Sequence, residues 1–246
     1  MKAAIVTGAS DGLGWEIANL LREKMPVYNL SINVPSKSFS DYSFPVWNYL
    51  CDITSESDIV GAMDLIRDGD DKIYYLINCA GTNGIDYLEH TKEELWDRVM
   101  GVNAKGIYLM SKHTLPHLAR WGGTILNIVS NAAHVPMTSS IAYNASKGAA
   151  HIMTLQMARE LMPRHGVTVF GIAPNKLKGT QMSKYIEDSV VRVRGWTEEY
   201  AKEYQLASLP AGEETDPAVL AEFIAFLLET KERHKYLHSC ILPYGA

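Results

Sequence analysis

With 246 residues and a formal net charge of −5, the chain is long enough to bury most of its apolar surface without staples. Its negative balance argues against a nucleic-acid or anionic-membrane surface. No apolar stretch reaches membrane-spanning length, and Met1-Lys2 runs straight into Ala3-Ala4-Ile5-Val6, too short a lead for a signal peptide, so a cytoplasmic protein is expected.

In chain order, short apolar β-branched runs alternate with amphipathic stretches of helix length. That rhythm predicts seven parallel strands with helices on both faces, a doubly wound three-layer α/β/α arrangement. The strands are expected at 3–7, 27–34, 46–51, 73–78, 124–130, 167–173 and 240–242. After the first, Leu13, Ile17, Leu20 and Leu21 share one helical stripe, and Pro26 ends that helix. Thr91-Lys92-Glu93-Glu94 resembles a capping box and opens a helix running through Leu95, Val99 and Met100 toward Asn103. A long helix is expected at 141–162. Asp216-Pro217 caps a last one that turns Ala221, Ile224, Leu227 and Leu228 inward. The three cysteines (Cys51, Cys79, Cys240) fit no zinc or redox spacing and read as small buried residues of a reducing compartment. No repeat or linker divides the chain, so 1–246 reads as one domain. Its segment 179–211 is rich in Tyr, Trp, Glu and Lys. It is either an insertion covering a ligand crevice or a surface helical excursion.

Thr7-Gly8-Ala9-Ser10-Asp11-Gly12-Leu13-Gly14 follows the first strand and opens the first helix. One glycine allows the tight turn, and a second lets backbone approach a pyrophosphate. The third lets the helix pack on the strand, with the helix N-terminus facing the anion. The spacing is Gly-x-x-x-Gly-x-Gly rather than the Gly-x-Gly-x-x-Gly fingerprint, and a strand-to-helix turn needs glycines in any case. An acid about 20 residues on, which would hold the ribose of NAD, is missing: the second strand ends Leu30-Ser31-Ile32-Asn33-Val34. No arginine stands there for a 2′-phosphate. Ser31, Asn33 and Lys37 are the available donors, and Asp11 adds negative charge nearby. The cofactor is NADP or NAD, and the missing acid tips the expectation toward NADP. Asp52, followed by Ile53, can meet an adenine amino group or cap the helix beginning near Ser55.

Ser130 ends an apolar run, Tyr143 lies thirteen residues further on, and Lys147 follows four residues later. Reducing a carbonyl takes a hydride from nicotinamide and a proton for the oxygen. Tyrosine can give that proton, but its ordinary pKa is about 10. Four residues apart on a helix, Tyr143 and Lys147 share one face. A cation about 4 Å away at an effective dielectric of about 20 is worth roughly 4 kcal/mol. That lowers the tyrosine pKa by at most about three, toward the range useful to an acid/base catalyst. Ser130, at the carboxyl end of a strand, can hydrogen-bond a substrate oxygen where charge develops. An isolated Tyr-x-x-x-Lys is usually a surface pair; the serine and the glycine turn reverse that reading.

These motifs resemble the short-chain dehydrogenase/reductase family, in its single-domain branch. The resemblance runs from Ala3 to Gly245 through Thr7-Gly8 to Gly14, Asn78-Cys79-Ala80-Gly81, Val102-Asn103, Ser130, Tyr143-x-x-x-Lys147 and Pro174. It implies a Rossmann-type sheet and an NAD(P)-dependent oxidoreductase acting on a small carbonyl or alcohol substrate. In that reading Ser130 orients the substrate oxygen and Tyr143 is the general acid/base. Lys147 lowers the tyrosine pKa and binds the nicotinamide ribose, while Asn103 distorts its helix and supports a water relay to Lys147. Gly8, Ser10, Asp11, Gly12, Leu13 and Gly14 form the cofactor-binding turn, whose glycines let the backbone approach the pyrophosphate. Ser31, Asn33, Asp52 and Ile53 serve the adenosine, with Asn78, Ala80 and Gly81 on the adenine-ribose side. Pro174, Leu177 and Thr180 contact the nicotinamide. The family also implies a homotetramer or homodimer through the helix after Asn103 and the helix carrying Tyr143.

Some positions depart from the pattern. Asn175 replaces a glycine and is expected to adopt the φ > 0 conformation that Asn tolerates. Thr180 lies one residue late, Phe170 replaces an asparagine, and Ala133 stands where glycine is common. His134 either lines the pocket or is a satisfied loop histidine. Tyr185, Trp196, Tyr200 and Tyr204 form either an aromatic lid or the packing of a helix pair. No cluster has metal-ligand spacing. The alternative from another class is a protein that keeps the fold to sense a dinucleotide without turnover, which the altered cofactor pocket and Pro174 loop motivate.

Overall fold

The computed structural model describes residues 1–35, 37–39, 44–67, 69 and 71–245. Its strands are β1 (Lys2–Thr7), β2 (Val27–Ser31), β3 (Val46–Leu50), β4 (Lys72–Asn78), β5 (Thr124–Ile128), β6 (Thr168–Pro174) and β7 (Ile241–Tyr244). They form one sheet in the order β3-β2-β1-β4-β5-β6-β7, and every pairing is parallel. The helices are α1 (Gly12–Leu21), α2 (Glu56–Arg67), α3 (Glu93–Met100), α4 (Gly106–Ala119), α5 (Ile141–His165), α6 (Gln181–Arg194), α7 (Glu198–Ala207), α8 (Pro217–Leu228) and α9 (Lys231–His234). Among the described residues, no helix is long and apolar enough to cross a membrane.

Alternation along the central strands builds the layers. Ala3 and Ile5 pack into one buried cluster with Ile59 of α2, Met110 of α4 and Leu161 of α5. Their neighbours Ala4 and Val6 pack into a second with Ile17 of α1 and Ile224 of α8. Each such large side chain contributes about 1.5–3 kcal/mol by leaving water. The strand order reverses between β1 and β4, so a crevice opens there outside the carboxyl ends of the strands.

Several element ends differ from expectation, for local reasons. β2 stops at Ser31 instead of reaching position 34. Asn33 turns its N–H to Ser31 Oγ at 3.4 Å and its carbonyl accepts from Ser10 Oγ, which takes the chain off the ladder toward the glycine turn. β5 stops at Ile128, and Ser130 lies beyond it in extended backbone. The capping box at Thr91 does not form. Lys92 occupies the N-cap without a side-chain bond, because the Thr91 hydroxyl donates to the Tyr87 carbonyl at 2.9 Å. α1 ends at Leu21, before Pro26. α5 continues to His165 and stops at left-handed Gly166, the conformation glycine permits. The Asp216 cap is present, its carboxylate accepting from Ala218 N at 2.8 Å.

Candidate active site

The glycine turn is built for close backbone approach. Gly8 and Gly12 have φ of +71° and +55°, which side chains other than glycine rarely adopt. A Cβ on Gly8 would lie 2.8 Å from Ala80 Cα, and one on Gly14 would lie 2.4 Å from Gly8 O. Side chains here would fill the cradle that a pyrophosphate needs. Asp11 occupies the N-cap of α1 in extended conformation and makes no side-chain cap, so first-turn N–H groups face the crevice end of the helix. Thr7 Oγ1 accepts from Cys79 N and Ala80 N, both at 3.0 Å, tying β1 to the chain leaving β4.

The crevice has a volume of about 1640 Å³, above the roughly 300–1,000 Å³ of small-ligand pockets and large enough for a dinucleotide with a substrate. Of the residues singled out from sequence, Gly8, Ser10, Asp11, Gly12, Leu13, Gly14, Ser31, Asn33, Asp52, Ile53, Ala80, Gly81, Ser130, Tyr143, Lys147, Pro174, Leu177 and Thr180 all line it. Asn78 does not. Its amide points into the sheet, donating to Asn127 Oδ1 at 2.8 Å and Ser111 Oγ at 3.3 Å, so its side chain braces β4 and not the adenine-ribose side. Asp52 accepts from Thr54 N at 2.8 Å, while Ser55 Oγ accepts from Asp58 N and takes the capping role. Lys37 is drawn away from the ribose end: its Nζ sits 3.9 Å from Glu16 and 4.7 Å from the Trp15 ring centroid. Asn175 does not take positive φ. Its amide donates to Gly245 O at 2.7 Å and accepts from Thr215 at 2.6 Å, so the side chain ties the loop to β7. Thr180 packs against Gly12 and caps α6 by accepting from Ser183 N.

The catalytic candidates converge from three elements. Tyr143 and Lys147 share the inner face of α5 and are 9 % and 5 % exposed. The Tyr143 hydroxyl is hydrogen-bonded to Ser130. Lys147 Nζ donates to the Ile128 carbonyl at 3.0 Å and lies 5.9 Å from the Tyr143 ring centroid. Burial sets the titration of both groups. It pushes the Tyr143 phenol up, against the opposing pull of the Ser130 hydrogen bond. It brings the Lys147 ammonium down to about 8, with Cys79 pulling slightly the other way. Desolvation, which disfavours the charged form of either group, thus raises the tyrosine and lowers the lysine.

Asn103 sits in a π-helical turn, Gly101–Lys105, between α3 and α4, so the helix is distorted where expected. It is fully buried behind the crevice wall. Its amide nitrogen donates to Thr82 O at 2.8 Å and Ser146 Oγ at 2.9 Å, and its oxygen accepts from Thr82 N at 2.9 Å. Asn103 thus fixes the wall beside Gly81 and the helix segment just before Lys147.

Two organising asparagines escaped the sequence reading. Asn29, in the middle of β2, accepts from Ala9 N at 3.0 Å and donates to Ser10 Oγ at 3.2 Å and Asn48 Oδ1 at 2.8 Å. A polar residue inside the apolar run Val27-Tyr28-Asn29-Leu30 was the available signal. Asn144, beside Tyr143, donates to Ala132 O at 2.7 Å and Val135 O at 2.8 Å, clamping the loop after Ser130. His134 lines the crevice, its ring 4.5 Å from that of His151. The aromatic group divides. Tyr185 and Tyr204 line the crevice, whereas Trp196 packs with its neighbours in a small cluster under α6 and α7. Phe170 is fully buried and stacks on His234 at 6.0 Å.

A doubly wound parallel sheet with a glycine-lined crevice at its switch point defines a nucleotide-binding protein of the Rossmann class. Comparison with known proteins narrows this. A family model described as short chain dehydrogenase matches residues 2–190, and the chain belongs to this short-chain dehydrogenase/reductase family of oxidoreductases. It is 31% identical over 230 residues to the 2-(S)-hydroxypropyl-CoM dehydrogenase 3 of Xanthobacter autotrophicus, covering 91% of this chain and 88% of that protein. It is 30% identical over 231 residues to an NAD-dependent glycerol dehydrogenase of Listeria innocua, covering 92% and 86%. The fold is shared with a solved NAD+-bound xylitol dehydrogenase at a TM-score of 0.89 and 24% identity, over 98% of this chain and 96% of the other.

Proposed function

We propose that this chain is an NAD(P)-dependent oxidoreductase that interconverts an alcohol and a carbonyl compound, with Tyr143 as the general acid/base. One observation carries the reading: Ser130, Tyr143 and Lys147 meet at the carboxyl edge of the sheet in the same crevice as the glycine turn. When bound, the nicotinamide supplies or accepts the hydride. The chain's own groups handle the rest. The Ser130 hydroxyl orients the substrate oxygen. The Tyr143 hydroxyl, held protonated by burial, gives its proton to that oxygen in reduction and takes it back in oxidation. Lys147, with a pKa near 8, exchanges protons in the working range and offers donors to ribose hydroxyls. Asn103 keeps this helix face in place and is positioned to support proton relay behind Lys147.

At the ribose end, Ser31, Asn33 and Asp11 line the crevice, and Lys37 is engaged by Glu16 and Trp15. The missing acid at the end of β2 favours NADP, while the engagement of Lys37 leaves Ser31 and Asn33 as the donors for a 2′-phosphate. Separate fluorescence titrations with NADH and NADPH decide this point. Tyr143→Phe tests the mechanism: turnover falls by about 10²–10⁴-fold while dinucleotide affinity stays near wild type. Full activity in that variant refutes the role. Dinucleotide binding by the wild type with no turnover on a broad carbonyl and alcohol panel would instead fit the sensing alternative.

A further inference from the structure

The crevice wall formed by α6 and α7 holds a polar group that the chemistry above leaves unused. Gln205 lines the crevice. It lies one helical turn beyond Ala201, which is 2 % exposed and packs in the cluster with Ile85 and Val190. Residues four apart share a helix face, so packing alone calls for an apolar side chain at 205. The chain places a carboxamide there instead. Both its Oε1 and Nε2 are shielded from solvent and find no hydrogen-bond partner among the described residues. Burying unpaired donors and acceptors is costly, and native structures keep few of them. A ligand that the amide turns out from the wall to meet, completing the pairing, explains the cost.

The carboxamide also selects the ligand's chemistry. It offers N–H donors and a carbonyl acceptor together. A hydroxyl both donates and accepts, and satisfies each. A carboxylate accepts only and would set its charge against Oε1. A hydrocarbon leaves both atoms unpaired. Arg194, a cationic group of α6 that lines the crevice, is already committed, donating to Thr138 O at 2.5 Å and Ser139 Oγ at 3.2 Å.

We propose that Gln205 is a specificity-determining residue that reads a hydroxyl on the substrate away from the reacting carbon, so that the substrates are polyols or hydroxy-carbonyl compounds. The assignment rests on the oxidoreductase reading. It is tested with the full chain, wild type and Gln205→Leu, by steady-state oxidation of 2-butanol, 2,3-butanediol and xylitol with each nicotinamide cofactor. Wild type should favour at least one hydroxylated probe over 2-butanol in kcat/KM by about tenfold or more. In Gln205→Leu that ratio should fall toward one, through a raised KM. An unchanged ratio, or a wild-type preference for 2-butanol, overturns the proposal. Melting temperatures without ligand give a second readout. Replacing an unpaired buried amide should leave the melting temperature equal or higher, whereas a drop would mean that Gln205 has a structural partner and would overturn the assignment. If no alcohol is oxidised, the oxidoreductase reading fails by itself, and the melting temperature still decides whether the amide is unpaired.

Discussion

Lys147 should weaken the unliganded protein at neutral pH, and the amount follows from its burial. Its pKa falls from 10.5 to about 8 in the fold. At about 1.4 kcal/mol per pH unit, holding the ammonium in place costs about 3 kcal/mol below pH 8. The sign follows from proton linkage. Between about 8 and 10.5 the unfolded chain binds more protons at this group than the folded one, so its contribution to stability rises with pH. Lys147→Met removes the buried charge but strands the Ile128 carbonyl that Lys147 holds at 3.0 Å, returning about 1 kcal/mol. The variant should therefore be about 2 kcal/mol more stable than wild type at pH 7, and that advantage should disappear by about pH 10.5. The assay is urea unfolding of both proteins, freed of nucleotide, from pH 7 to 10.5. Taking the difference cancels opposite trends from groups common to both and remote from Lys147, such as Cys51, whose thiol burial pushes up to about 11. A difference that stays flat with pH would refute a buried, destabilising lysine. Catalysis should be lost in the same variant, the mark of a site that gives up stability for function.

Gly14→Ala places a methyl 2.4 Å from the Gly8 carbonyl oxygen, a contact that backbone movement alone relieves. It should cost about 1–3 kcal/mol in urea unfolding and weaken NADH binding at least about tenfold, and unchanged affinity would remove the turn from the phosphate site. Asn29→Ala leaves the buried Ala9 N–H without its acceptor and should destabilise by about 1–3 kcal/mol, read as a lower melting temperature. Tyr108 on α4 and Ile152 on α5 are 51% and 61% exposed, apolar surface suited to burial against a second copy. Light scattering should give the mass of a dimer or tetramer, and a monomer at micromolar concentration would count against that assembly.

Much of the architecture was legible because its causes are local. Alternation in Ala3-Ala4-Ile5-Val6 sends side chains to two faces, and the two clusters receive them as expected. The glycines of the first turn, the Asp216-Pro217 cap and the Tyr143/Lys147 spacing depend on backbone conformation within a few residues. Errors arose where a competing partner, local for Thr91 and distant for Asn78 and Asn175, decided the outcome. The Thr91 hydroxyl had a carbonyl, that of Tyr87, within reach, so no capping box formed. Asn78 had the choice of crevice or sheet, and Asn127 from β5 drew it into the sheet. Asn175 relieved its loop through Gly245 and Thr215 rather than by positive φ.

By itself, the sequence determined the family, the doubly wound sheet and the three side chains that meet at its edge, since each follows from short-range periodicity, turn chemistry and motif spacing. Only the tertiary structure decided how those side chains titrate, which asparagines hold the turn and the loops, and that Gln205 keeps an unpaired amide in the crevice wall. Burial and hydrogen-bond pairing depend on what the fold brings from elsewhere in the chain. A lysine that Coulomb attraction alone would set to acidify Tyr143 is itself desolvated beside it, and the whole environment of the pair governs both pKa values.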